Sequence, residues 1–132
     1  MLTSSTIKKY EKYSVAELLK KCQTVFNAWI RFRDKDLGCI SCGAWSNPQA
    51  GHYLSQGHHS ALRFNENNVN RQCLKCNNFL HGNLINYRIG LVKKIGEARV
   101  QSLEDYPKAA HKWNRFDLIL KIEDYKTRLK GK

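Results

Sequence analysis

At 132 residues the chain has the length of one domain, and its 42% hydrophobic content excludes wholesale disorder. The formal charge of +12 calls for a polyanionic partner, either nucleic acid or an anionic membrane face. No apolar run approaches the roughly twenty residues of a membrane span, so no membrane insertion is expected. The opening MLTSSTIKKYEKYS lacks the apolar stretch of a secretory leader. The expected location is therefore cytoplasmic, where thiols stay reduced and a Cys-x-x-Cys pair is a metal or redox site rather than a disulfide.

Residues 1–13 show no apolar period and read as a loose basic N-terminal arm. A single domain is expected over 14–132. Ser14 and Glu17 have the spacing of a capping box. Behind them Val15, Leu18, Leu19, Cys22, Val25, Phe26 and Trp29 recur every three or four residues, which predicts a helix over 14–35. The segment 38–83 is punctuated by Gly43, Asn47, Pro48, Gly51 and Gly57. Short strands are expected around His52–Leu54 and Leu62–Phe64, followed by a short helix from Leu74 to about His81. The remainder, 84–132, reads as helical: Leu84 to about Ile95, about Glu97–Asp105, and a last helix capped by Asn114 and Asp117. Phe116, Ile119, Leu120, Ile122 and Leu129 are its residues available for burial.

The cysteines carry the most specific signal. Cys39 and Cys42 form one Cys-x-x-Cys knuckle, and Cys73 and Cys76 form a second, thirty residues further on. Two knuckles are the usual way to surround one tetrahedral Zn²⁺, and four thiolates close its shell, so a structural zinc is expected. Cys22 falls on the apolar stripe and reads as a small buried hydrophobe.

The residues around the knuckles point to a site. A neutral imidazole can take a proton from water near pH 7, which makes His52 a candidate general base; the alternative is a structural histidine. His58 and His59 read as loop residues or DNA contacts. Asn68 is a candidate to tie the strand-loop backbone, although Asn67 and Asn70 are also turn-formers. Asn77 and His81 are four apart and would share one helix face, suiting a catalytic divalent metal, Mg²⁺ or Mn²⁺; the alternative for Asn77 is capping, that for His81 a residue merely ending the helix beside Gly82, and Asn83 is a further candidate. Glu66 is the one carboxylate between Gly38 and Asn83, which speaks against a two-carboxylate, two-metal mechanism. Arg63, Arg71, Lys75, Arg88, Lys93 and Lys94 flank the region and together read as a DNA-binding set; each alone is either a phosphate contact or a solvated charge. The order His52, Asn68, second knuckle, Asn77 resembles a ββα-metal (HNH-type) nuclease site. The expected fold is α+β: a small zinc-stapled ββα-metal (HNH-like) unit flanked by α-helices.

The strings NAWIRFRDKDLGCISCG, AGHY, LRFNENNV, QCLKCN and HGNLINYRIGLVKKIG extend the likeness. The chain resembles the NinG (Rap) recombination endonucleases of lambdoid phages over roughly residues 24–132. The resemblance implies a structure-selective endonuclease for branched DNA such as Holliday junctions and D-loops, a divalent-metal requirement, and a host-cell location if the chain is phage-encoded. It implies zinc ligation by Cys39, Cys42, Cys73 and Cys76, catalysis by His52, and HNH-type positions at Asn68 and Asn77. Two departures stand out: Gln49 where relatives often carry an acid, and His81 where they commonly carry a small polar residue. Two other readings remain open, a general nicking HNH nuclease and a zinc-dependent DNA-binding module without catalysis. A homodimer on the junction is also expected, because paired incisions need two sites. Val25, Trp29, Ile119 and Ile122 would form its surface, unless they pack within the chain.

Overall fold

A computed structural model describes residues 2–131. The described elements are α1 (Ser4–Lys9), α2 (Val15–Arg33), β1 (Pro48–His52), a 3₁₀ turn (Ser60–Leu62), β2 (Val69–Cys73), a π turn (Lys75–Phe79), α3 (Leu84–Ile95), α4 (Glu97–Glu104) and α5 (Arg115–Lys130). The chain divides into two compact units. One comprises Met1–Trp29 with Lys112–Lys132, the other Ile30–His111.

In the first unit the expected loose arm is instead ordered. Thr3 caps α1 by accepting from the Thr6 amide. Tyr10 follows and is only 2% exposed. Its hydroxyl donates to Glu123, Lys126 donates to that hydroxyl at 3.2 Å, and Arg115 donates to the Tyr10 and Tyr13 carbonyls at 3.1 and 2.7 Å. A single buried aromatic leaves no periodic trace, so the arm reads as loose although it packs. In α2 the capping box closes reciprocally: the Ser14 amide donates to Glu17 at 3.0 Å and the Glu17 amide to Ser14 at 3.1 Å. Leu18, Cys22 and Phe26 are fully buried, and Phe26 meets Tyr125 edge-on at 5.0 Å. Asn114 caps α5 by accepting from the Asp117 amide at 2.9 Å. Ile119 and Ile122 are buried with Leu118 and Tyr125, and Trp29 lies 5.3 Å from the Tyr125 ring. Three of the four residues offered for a dimer surface, Trp29, Ile119 and Ile122, are thus packed within the chain, whereas Phe116 and Leu120 are the exposed ones.

In the second unit β1 and β2 pair antiparallel, Pro48 opposite Cys73 and His52 opposite Val69. Both strands differ from expectation. Leu62 and Phe64 are buried from a 3₁₀ turn and its exit rather than a strand. The true partner strand, Val-Asn-Arg-Gln-Cys, buries Asn70 and Gln72, so it shows no apolar alternation. The amide nitrogens are satisfied, whereas Gln72 Oε1 is buried without a partner. Asn70 Nδ2 donates to Tyr87 Oη at 3.1 Å, and Gln72 Nε2 donates to Ser41 Oγ at 2.9 Å and the Gly82 carbonyl at 2.6 Å. Tyr53, Leu62, Tyr87, Leu91, Val100 and Leu103 form the apolar core against α3 and α4. At Gly90 a Cβ would lie 1.9 Å from the Ile40 carbonyl; only glycine lets α3 approach the first knuckle so closely.

Asp34, at the end of α2, is almost fully buried. Arg33 donates to both its oxygens at 2.8 Å, Lys94 at 2.9 Å, and the Arg71 amide at 3.1 Å. Burial alone would raise its pKa, but donation from Arg33 and Lys94 outweighs that and holds the carboxyl below the usual range.

Candidate functional site

The four knuckle sulfurs lie within 4.8 Å of one another. Cys39 and Cys42 sit in the turn after α2, closed by Gly43 donating to the Cys39 carbonyl at 2.8 Å, with Gly43 at φ +80°. Cys73 ends β2 and Cys76 sits in the π turn. The Cys42 and Cys73 sulfurs are 3.7 Å apart. Tetrahedral zinc with Zn–S bonds of about 2.3 Å requires a sulfur spacing of about 3.8 Å, so the donor set fits one zinc ion. The Cys76 amide donates to Cys73 Sγ at 3.5 Å and Asn83 Nδ2 to Cys76 Sγ at 3.4 Å, the kind of outer support that holds thiolate ligands. Burial raises the Cys39 pKa, but the amides of Cys73, Cys42 and Ser41 overcome it and bring it to about 7.

His52 is the last residue of β1. Its Nε2–H donates to the Arg63 carbonyl at 2.9 Å, a tautomer assigned from the acceptor-only partner. Burial lowers its pKa, and the Arg63 carbonyl offsets this only in part. The ring is therefore neutral near pH 7, with Nδ1 as its basic nitrogen. Just beyond it, Asn68 is fully buried. Its Oδ1 accepts from the Leu54 amide at 2.9 Å, and its Nδ2 donates to the Leu54 and Leu62 carbonyls at 3.0 and 3.2 Å. That side chain clamps the backbone leaving His52 to the turn that supplies Arg63.

His52 opens on a cavity of about 650 Å³ shared with His58, His59, His81, Leu84 and Lys108. His59 Nδ1 is buried with no hydrogen-bond partner. Burial lowers the His59 pKa, as do Lys108 and His58 beside it.

Asn77 does not join this group. Its Nδ2 donates to Gln49 Oε1 at 2.7 Å, and by strand alternation Gln49 and His52 point to opposite faces of β1. The expected Asn77–His81 helix face is also absent, because the segment is a π turn ending at Phe79 and His81 lies beyond it at φ +50°. The cavity lining holds imidazoles and Lys108 but no carboxylate. A hard ion such as Mg²⁺ or Mn²⁺ prefers carboxylate and carbonyl oxygen, so these residues do not fit one.

The basic set also divides. Arg88 is paired with Glu104 at 2.8 Å and Glu97 at 3.0 Å, and Lys94 with Asp34; both are committed to structure rather than held out for phosphate. Arg71 donates to the Lys35 and Trp45 carbonyls at 3.3 and 3.0 Å and lies over the Trp45 ring. Arg63 lies over Phe64. Lys75 and Lys93 are exposed. Sequence reasoning missed Lys108, a loop lysine with no distinguishing pattern. It also missed Asp34, whose placement between Arg33 and Lys35 looks like a solvated charge run.

The family model described as Bacteriophage Lambda NinG protein matches residues 3–132. The chain is similar to Protein ninG of Salmonella phage P22 and of Escherichia phage lambda, each 40% identical over 85% of this chain and 56% and 55% of the relative. It is 42% identical to Protein ninG of Escherichia phage 933W over 72% of this chain and 48% of the relative. It thus spans about half the length of the curated relatives it matches. No solved structure matches it, and no described helix is long and apolar enough to cross a membrane.

Proposed function

The chain belongs to the NinG family of lambdoid phages, and from that premise we propose that it is an HNH-like endonuclease cutting branched recombination DNA. The observation that carries the reading is His52: a neutral imidazole whose Nε2 is occupied by the Arg63 carbonyl, which leaves Nδ1 as the basic nitrogen, in a residue that lines a cavity with a cation, Lys108. In the proposed reaction Nδ1 takes a proton from water, the hydroxide attacks phosphorus, and the P–O bond to the leaving oxygen breaks. Lys108, the one formally charged side chain in the lining, offsets the charge that develops on the phosphoryl oxygens. Zinc at the four cysteines would staple β2 and the first knuckle without taking part in the reaction. The divalent ion that the resemblance implies finds no fitting donor set around His52, so no step is assigned to it. The working unit on a four-way junction is proposed to be a homodimer, which supplies two sites to a two-fold substrate.

The test is cleavage of a defined four-way junction and a matched duplex, with and without added divalent ions. Junction-selective cutting supports the proposal. Equal cutting of both would favour a general nicking nuclease, and tight binding without cutting would favour a non-catalytic zinc module. Sedimentation with junction reads the stoichiometry.

A further inference from the structure

An apolar groove adjoins the histidine cavity. Ile85 is 81% exposed and Ile89 53%, on the face of α3 opposite the buried Tyr87 and Leu91. With Val92, Arg88 and Lys93 they line a groove of about 610 Å³. Tyr53 and Leu84 line both this groove and the His52 cavity, so the two are continuous. Phe79, in the preceding turn, is 72% exposed. Large aliphatic side chains clustered in water at one place mark a binding surface.

The charge around the groove selects its occupant. Lys93 stands in it and Lys108 in the adjoining cavity, while Arg88 is already paired with Glu104 at 2.8 Å. The one acid in its lining, Glu97, is held by Arg88 at 3.0 Å. The ammonium groups of Lys93 and Lys108, on a chain of charge +12, suit a ligand with apolar faces and phosphate edges. We propose that this groove binds unstacked bases at the branch point of DNA, with Ile85 and Ile89 packed against them, and is the source of the preference for branched over continuous duplex. Apolar side chains set against opened base steps are an established way to hold deformed DNA, and exposed bases offer faces that any apolar surface can cover. A branch point supplies such bases without the unstacking that continuous duplex requires. The inference rests on the nuclease reading above.

The experiment is a titration of the zinc-loaded full chain with a four-way junction carrying 2-aminopurine at the branch point, and with a matched duplex, without added divalent ions. The wild type is expected to prefer the junction and to change the probe's fluorescence. Ile85→Ser with Ile89→Ser, at exposed positions that leave the core intact, is expected to lose about tenfold in junction preference, to lose the probe signal, and to keep its duplex affinity. A double variant that retains both preference and signal overturns the assignment. So does one whose only change is loss of a self-associated form in sedimentation, since the groove then seats a second copy. Failure of the wild type to cut DNA when ions are added would strike the nuclease reading alone, because binding and probe signal are read without turnover.

Discussion

The Arg63 carbonyl accepts the Nε2–H of His52 at 2.9 Å, and this one bond decides which imidazole nitrogen is basic. Arg63 is one of six basic residues that together read as a DNA-binding set, yet its backbone also orients the proposed base. His52→Ala is expected to lower junction cleavage by about 10²–10⁴-fold, the usual range for removing a general base, while zinc content and junction binding hold. Undiminished cleavage by the variant would reject His52 as the base.

The same residue fixes a pH dependence. Burial lowers the His52 pKa below its unfolded value of about 6.5. Cleavage should therefore rise from acid pH to a plateau reached before the pH at which an ordinary histidine finishes titrating. The stability term has the matching sign: it is fully present above the unfolded pKa and is lost as pH falls through the folded one. A pH–rate profile whose acid limb sits above the ordinary histidine range would contradict this environment.

The zinc cluster makes the sharpest stability prediction. Cys39→Ser, or removal of the metal by a chelator, should unfold the 30–111 unit, since metal binding to such sites contributes on the order of 10 kcal/mol. Elemental analysis should find one zinc per chain. A metal-free preparation with the full thermal transition would show that the four sulfurs hold nothing essential.

Legibility followed the kind of signal each element leaves. The knuckles were readable because Cys-x-x-Cys spacing is set by the metal and survives any fold around it. The helices α2 to α5 were readable from period and caps, as the Ser14–Glu17 box and the Asn114 cap show. β2 was missed because Asn70 and Gln72 fill buried positions with their amide nitrogens hydrogen-bonded, and a hydropathy pattern cannot register buried polar side chains. The Asn77–His81 spacing reads as one α-helical face, whereas the segment is a π turn, whose i→i+5 bonding appears in Leu80 donating to the Lys75 carbonyl at 2.9 Å.

Asp34 is expected to matter as much as any apolar core residue. Asp34→Ala leaves Arg33 and Lys94 without their shared carboxylate, in a place where those two side chains are 24% and 23% exposed. Removing one partner of such a pair typically destabilises by about 3–5 kcal/mol. Because the folded Asp34 pKa is depressed, its contribution should persist above the unfolded carboxylate value and fade only as pH falls through the folded one. Urea midpoints across acid pH would read this directly, and a variant of unchanged midpoint at neutral pH would show the network to be dispensable.

The division of the basic side chains makes the last prediction. Lys75 and Lys93 are exposed, whereas Lys94 is tied to Asp34 at 2.9 Å and to Asn70 at 2.6 Å. If affinity for DNA comes from phosphate neutralisation, log affinity falls with log salt by about 0.9 per contact on duplex arms. Lys75→Ala with Lys93→Ala should therefore flatten that slope by up to about 2 without shifting the unfolding midpoint. Lys94→Ala should do the reverse, leaving the slope in place and lowering the midpoint, because its ammonium partners a buried carboxylate rather than the solvent. Salt titrations of binding paired with denaturation of the same two preparations separate the cases. A Lys94→Ala protein of full stability and flattened slope would return that residue to the DNA surface and overturn the division.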